Sequence, residues 1–391
     1  MSPWLEIIAW VGLGLQIPAT GVLLSRLMKG RHRRPPLDPQ LIPWGETGTV
    51  SIIVPTLNEA QRIGPCLAGL QQQTAEVREI LVVDSQSQDG TPQLVQAAAQ
   101  EDPRLRLITD DPLPPGWVGR PWALNTGFLH SSPKSQWILG IDADTQPQPG
   151  LVGSLLKVAE TEGYDLVSVG PQFIVKSVGE LLLLPALVVG LVYRVGPPGT
   201  SPRSRTQVMA NGQCFLIRRE VLAKLQGYAA AQGSFCDDVT LARYLADQGF
   251  KVGFLDGCRV LKVRMYEGAL ETWREQERTS ALKDAVTGQQ LWLDVGFLFC
   301  VQAMPLFVLG SLSVISLGVA VGVGTSFWWG LNFLLVAMRL ALLTAMSPSY
   351  NRDQAKFPWV FWLSPLADPV AWCRVFLSAI TQPRQWRGRV Y

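Results

Sequence analysis

Apolar positions divide the chain into stretches of different character. From Ile7 to Ser25 the run IIAWVGLGLQIPATGVLLS is long enough to cross a bilayer, which takes about 20 residues. Pro35 to Gly48, with four prolines, reads as a linker. From Thr49 to about Arg278 short β-rich runs alternate with helical spacing. TVSIIVP, EILVVD, WILGIDAD and DLVSVG are expected to be buried strands, with helices over Ile63–Gln73, Pro92–Gln100, Trp122–His130 and Leu151–Thr161. That alternation predicts an α/β domain with a mostly parallel sheet covered on both faces, and ligands beyond the carboxyl ends of its strands.

The remainder is apolar again. Gly296–Leu317 and Phe327–Met346 each reach spanning length, and the intervening GVAVGVGTS carries no charge, as a translocated loop would. Phe357 to Thr381 is broken by Pro358, Pro365, Asp368 and Pro369 and precedes Arg384, Arg387 and Arg389, so it is expected to be re-entrant or interfacial. A shorter run, LLLLPALVVGLVY from Leu181 to Tyr193, is too short to span comfortably; it reads either as a membrane-docking insert or as a buried core helix. The expected organisation is a transmembrane anchor at 1–28, a basic, Pro-rich linker at 29–48, a folded domain at 49–290 with its insert at 181–193, and a membrane region at 291–391 with two spans and the broken segment.

Composition agrees with a membrane-associated chain: 48% hydrophobic and 17% charged residues over 391 positions, with a mean hydropathy of +0.18. Arg26, Lys29, Arg31, Arg33 and Arg34 follow the first apolar run and put that end, and with it the folded domain, on the cytoplasmic side. No Lys or Arg precedes the run and no small-residue cleavage site follows it, so it reads as an uncleaved anchor. The net charge of +3 lies in local clusters rather than along one face, which argues against nucleic acid as a partner. Two histidines, His32 and His130, argue against a His-rich metal site or a Ser-His-Asp triad, and six cysteines without a CxxC pair read as reduced thiols. Arg339, inside an apolar span, is expected to snorkel to the interface or to bind an anionic group.

The predicted strand ends carry the chemistry. After the first comes Pro55-Thr56-Leu57-Asn58-Glu59, after the second Asp84-Ser85-Gln86-Ser87-Gln88-Asp89-Gly90-Thr91, and after WILGI come Asp142-Ala143-Asp144. No GxGxxG follows the first strand and no GxxxxGK[ST] occurs, so neither dinucleotide nor P-loop binding is supported. Asp142 and Asp144, one residue apart at a strand end, suit a hard divalent cation, Mg²⁺ or Mn²⁺, or else form a solvated turn. Thr91 and Pro92 read as the cap and first residue of a helix, and Asp237-Asp238 either caps a helix over VTLARYLADQG or presents a general base. Gly212 and Gln213, before the strand-like CFLIRR, let backbone approach a substrate or simply turn the chain. Trp117 and Trp122 either wall a ligand site or anchor a helix.

In order and approximate spacing, PTLNE, VVDSQSQDGT, GRPWALNTG, DADT and CDDVTLA resemble the motifs of family 2 glycosyltransferases with a GT-A fold, over roughly Thr49 to Arg278. The resemblance implies an inverting hexosyltransferase using a UDP-, GDP- or dTDP-hexose donor and Mg²⁺ or Mn²⁺. It further implies that Pro55, Asn58, Glu59 and Asp84 line the nucleoside pocket, that Arg120 approaches the diphosphate, that Asp142 contacts the nucleotide and that Asp144 ligates the metal. Asp238 is the implied base, with Asp237 in place of the usual Glu. Related processive enzymes carry Q-x-x-R-W where this chain reads Glu275-Gln276-Glu277-Arg278-Thr279; the Gln and Trp are lost, while Arg278 is retained for diphosphate contact or as part of a solvated face. One anchor before the domain and a few spans after it, together with PPGWVGRPWALNTG, is similar to bacterial carotenoid glycosyltransferases and also to hopanoid-associated and ceramide-type glucosyltransferases. The acceptor this implies is lipid-soluble, a hydroxylated carotenoid first, with hopanoid, ceramide or glycerolipid as alternatives. A processive polysaccharide synthase and an inactive membrane scaffold are the other readings.

Overall fold

The computed structural model describes residues 3–110, 112–276, 280, 282–315, 322–381, 385–386 and 389–390. Arg278, Arg384, Arg387 and residues 318–321 of the expected translocated loop lie outside them. The chain forms two compact units: residues 1–32, 175–197 and 266–382 make one, and residues 33–174, 198–265 and 383–391 the other.

The second unit is built on a seven-stranded sheet. Its strands are β1 (Val50–Thr56), β2 (Val77–Asp84), β3 (Leu105–Thr109), β4 (Trp137–Ile141), β6 (Leu166–Gly170), β8 (Cys214–Arg218) and β9 (Val252–Asp256), in the order β3-β2-β1-β4-β8-β6-β9. Short strands β5 (Thr145–Pro147), β7 (Gln172–Ile174) and β10 (Leu261–Val263) pair beside it. Alternate side chains of the central strands enter two cores. Ile52, Val54, Ile80 and Val82 pack with Ile63, Leu67, Leu151 and Leu155 on one face. Ile53, Val83 and Ile138 pack with Leu124, Phe128, Leu241 and Leu245 on the other. Burial on both faces is why these strands read as continuous apolar runs rather than as alternation.

The sheet is mostly parallel, with one reversal that matters. From β3 the chain returns past β2 and β1 to place β4 on the far side of β1, which opens a crevice at the carboxyl ends of β1 and β4. β8 runs antiparallel to β4, with Ile141 opposite Cys214, so the start of β8 meets the end of β4. Two strands of the seven-stranded sheet, β3 and β9, carry no apolar run that announces them. β3 is a five-residue edge strand with polar positions, and β9 is equally short.

The other unit is helical. Among the described residues, five helices are long and apolar enough to cross a membrane: Trp4–His32, Val178–Val195, Gly288–Ser311, Val323–Ser349 and Pro358–Ile380. The apolar run at 181–193 is thus part of an 18-residue helix, lengthened at its start by a capping box between Ser177 and Glu180, and it clusters with the terminal helices. The broken segment forms a 3-10 stretch, Pro358–Ala367, followed by the helix Asp368–Ile380.

Arg339 does not snorkel. It is 3% exposed, and its Nε lies 2.9 Å from one Asp368 oxygen while Nη2 donates to the other at 3.2 Å and to Ser364 Oγ at 3.2 Å. Pairing within the bundle removes the cost of facing lipid, and the same pair explains an aspartate in an apolar stretch. A second polar contact lies elsewhere in the bundle. Gln16 donates to the Cys300 carbonyl within a π turn and to Asn332 Oδ1, both at 2.8 Å, and accepts from Trp328 Nε1 at 2.6 Å. Glu6 accepts from Gly324 N at 3.1 Å and from Thr325 Oγ1 at 3.1 Å, capping the start of the helix Val323–Met346.

Removing one partner of the buried pair leaves the other uncompensated. Asp368→Leu is expected to destabilise the helical unit by about 3–5 kcal/mol, whereas Arg339→Met combined with Asp368→Leu is close to neutral. Unfolding of the purified variants in detergent checks this; equal losses for the single and double variants would contradict it.

Candidate active site

One edge of the sheet gathers most of the motifs. The segment after β1 is tied to the segment after β2 by a set of short bonds. Asn58, at φ 55, donates its N–H to Ser87 Oγ at 2.8 Å, and its Oδ1 accepts from Gln88 N at 2.9 Å. Glu59 N donates to Thr91 Oγ1 at 2.9 Å and Ala60 N to Asp89 Oδ2 at 2.9 Å. Burial alone would raise the Asp89 carboxyl, but hydrogen bonds from Thr91 and the Ala60 backbone outweigh it and hold it below its usual range. The cap position of the helix Thr91–Glu101 belongs to Gly90, at φ 95, rather than to Thr91, whose hydroxyl is engaged by Glu59 N and Asp89. Asp84 closes β2, buried, accepting from Thr56 Oγ1 at 3.2 Å and from Ser87 N at 2.9 Å. Pro55 lies buried within β1.

Across the crevice stand Asp142 and Asp144, at the end of β4. Asp142 N donates to the Gln213 carbonyl at 3.1 Å, which fastens the acidic turn to the residues entering β8. There Asn211 and Gln213 bond each other, Nδ2 to Oε1 and backbone N to Oδ1, each at 3.1 Å. Asn211 N is further anchored on Ser168 Oγ at 2.6 Å.

Arg120, in the first turn of the helix Gly119–His130, links these pieces. Its Nε donates to Asp142 Oδ1 at 3.0 Å, Nη1 to Asp237 Oδ2, and Nη2 to the Gly212 carbonyl at 2.5 Å. Asp237 and Asp238 occupy the first turn of the helix Asp237–Asp247, after Cys236 in the cap position, and Asp238 Oδ1 accepts from Val239 N at 2.8 Å within that turn. Asp238 Oδ2 accepts from Gly212 N at 2.6 Å. Burial pushes both carboxyls up, and Arg120 pulls them back only in part. On Arg120 itself burial works against the charge, but Asp142, Asp237 and Asp238 more than offset it and raise its pKa.

Tyr228 is a neighbour that no motif announced. It is buried, its backbone N donates to Asn125 Oδ1 at 3.1 Å, and its hydroxyl has no hydrogen-bond partner among the described residues. Burial raises its pKa, with Arg120 and Asp237 close enough to act on it electrostatically. The only signal was Asn125 inside GRPWALNTG, a buried amide that needs a partner. Trp117 and Trp122 meet edge to face at 5.2 Å; Trp122 Nε1 donates to the Asp110 carbonyl at 2.5 Å, and Trp117 packs on the core beneath the helix Gly119–His130.

This arrangement matches known proteins in two respects. Residues 51–226 match the family model described as glycosyl transferase family 2. That segment is similar to the family, and the fold is the GT-A fold. It is 23% identical to the 4,4'-diaponeurosporenoate glycosyltransferase of Staphylococcus haemolyticus over 59% of this chain and 60% of that protein. It is 30% identical to the glycosyltransferase AglE of Haloferax volcanii over 32% of this chain and 40% of that protein. The chain thus spans less than two thirds of the length of both relatives. Among solved structures, the mannosyltransferase PcManGT of Pyrobaculum calidifontis, in complex with GDP-Man and Mn²⁺, aligns over 94% of this chain and 99% of that one, with a TM-score of 0.51 and 19% identity.

Thr91 supplies the acceptor for the buried Glu59 amide. Thr91→Val is expected to cost about 1–3 kcal/mol by leaving that amide unpaired. Thermal unfolding of the purified variant reads the effect; unchanged stability would contradict the role given to the hydroxyl.

Proposed function

We propose that the protein is a membrane-bound inverting glycosyltransferase that moves one hexose from a nucleotide sugar to a hydroxyl of a lipid-soluble acceptor. The observation that carries the reading is the meeting of Asp142, at the end of β4, with the Asp237–Asp238 pair through Arg120 and Gly212. Pro55, Asn58, Glu59 and Asp84 are assigned to the nucleoside, and Gln213 to the substrate beside Gly212. The loop bonds that hold Asn58, Glu59 and Asp84 in place support that assignment.

Asp144, with Asp142 beside it, suits a hard divalent ion of the Mg²⁺ or Mn²⁺ kind. Among the described residues no group of three His, Cys, Asp or Glu side chains is placed to hold a metal ion, so an ion here would complete its shell with phosphate oxygens and water. When bound, it supplies charge stabilisation to the departing diphosphate. Asp238 takes the proton of the acceptor hydroxyl while that oxygen bonds to the anomeric carbon and the bond from that carbon to the diphosphate breaks. A carboxyl raised by burial is a better base than an exposed one, and its bond from Gly212 N fixes the orientation of one oxygen.

Five long apolar helices and the basic cluster after the first support a membrane enzyme with its catalytic domain on the cytoplasmic side. Similarity to a diaponeurosporenoate glycosyltransferase supports a carotenoid acceptor over hopanoid, ceramide or glycerolipid.

The test uses membranes holding this chain, Mn²⁺, a panel of labelled UDP-, GDP- and dTDP-hexoses and a pigment and lipid extract. Label in a coloured, more polar product is expected; label in colourless lipid moves the acceptor, and none with any donor rejects the reading. Asp238→Asn should lower kcat by about 10²–10⁴-fold. Since the base acts as a carboxylate and its pKa is raised, kcat/KM should fall with decreasing pH along a limb lying above the ordinary aspartate value of about 3.9. A flat profile from pH 5 to 8 together with full activity of Asp238→Asn would remove Asp238 from the reaction.

A further inference from the structure

We infer that Arg120 is a positioning residue for the Asp237–Asp238 pair, acting on one carboxylate directly and on the other through the Gly212 peptide, and that it is not a contact for the donor's diphosphate. The inference rests on the transferase reading above and gives Arg120 a role different from the one its motif implies.

The guanidinium has five N–H groups in a rigid fork. Each of its three nitrogens is turned onto a protein acceptor: Nε onto Asp142 Oδ1 at 3.0 Å, Nη2 onto the same oxygen at 2.9 Å and onto the Gly212 carbonyl at 2.5 Å, and Nη1 onto Asp237. The side chain is 12% exposed, and that of Asp237 is 7% exposed. Turning Arg120 toward a phosphate would leave a buried carboxylate without its cation, a costly state. A phosphate contact would also bring a further anion to a guanidinium already facing Asp142, Asp237 and Asp238.

The second route runs through one peptide group. Gly212 accepts from Arg120 at its carbonyl and donates at its N–H to Asp238 Oδ2 at 2.6 Å. An amide whose carbonyl faces a cation is polarised and donates more strongly, so the guanidinium reinforces the bond that orients Asp238. This route requires glycine: a Cβ at position 212 would lie 2.8 Å from Arg120 Nη2 and 3.1 Å from its Cζ. Any larger residue pushes the guanidinium off the peptide while leaving every charge in place.

Arg120→Gln, Arg120→Lys and Gly212→Ala in the purified full chain separate the two roles. Affinity for UDP, GDP and dTDP with Mn²⁺ is measured by calorimetry, and kcat and donor KM with the donor that the transfer assay selects. Positioning predicts a fall in kcat of about 100-fold for Arg120→Gln, with nucleotide affinity and donor KM within about threefold of the parent. Arg120→Lys, which keeps the charge but cannot bridge three acceptors, should recover only a small part, and Gly212→Ala should show the same kcat-only loss. If Arg120→Gln does not fold, the other two variants carry the same contrast. A tenfold or greater loss of nucleotide affinity in Arg120→Gln or Arg120→Lys, or an unchanged kcat in Gly212→Ala, overturns the inference while leaving the transferase reading intact. A parent chain that turns over no donor removes both.

Discussion

A buried guanidinium shared among carboxylates from different parts of the chain is the interaction on which the site depends. Charge is costly to bury, and three aspartates brought together without a cation would repel one another or take up protons. Arg120 resolves this by bonding Asp142 and Asp237 directly and the Gly212 carbonyl between them. It can do so only because the sheet brings these residues to one edge. The antiparallel course of β8 sets Cys214 opposite Ile141, and so delivers Asn211, Gly212 and Gln213 to the carboxyl end of β4. An all-parallel strand in that place would have left them at the opposite edge of the sheet.

The helical unit follows the same rule. Its helices are apolar outside, with Ile7, Ile8, Trp10, Phe327 and Phe333 exposed, while the polar residues turn inward and pair. Arg339 with Asp368, and Gln16 with Asn332, join helices through buried hydrogen bonds. Both units therefore spend their polar groups at positions that fix how distant segments meet. In the unit built on the sheet the network leaves carboxylates with raised proton affinity; in the helical unit it holds helices together.

Much of the sheet was legible because a strand buried on both faces must be apolar throughout and must end where polar residues begin. That rule located β1, β2, β4 and β6 and the acidic residues beyond them, Asp84, Asp142 and Asp144. It missed β3 and β9, whose short, partly exposed sequences carry no such run. It also placed the cap on Thr91, since the preference for a hydroxyl at a cap does not reveal that a loop amide, Glu59 N, competes for that oxygen. For Arg339 the sequence leaves two readings open for a similar reason: a sequence window shows an arginine among apolar residues but not the aspartate 29 positions later that neutralises it.

By itself, then, the sequence determined the α/β alternation, the apolar segments and the chemical type of each strand end, because these follow from local periodicity and from the polarity of neighbouring residues. Tertiary structure alone decided which charges share a partner. The assembly of Arg120, Asp142, Gly212, Asp237 and Asp238 spans more than a hundred positions, Arg120 and Asp237 being 117 apart. Pairing over such separations depends on strand order and direction, and those are set by how the whole sheet closes its two cores.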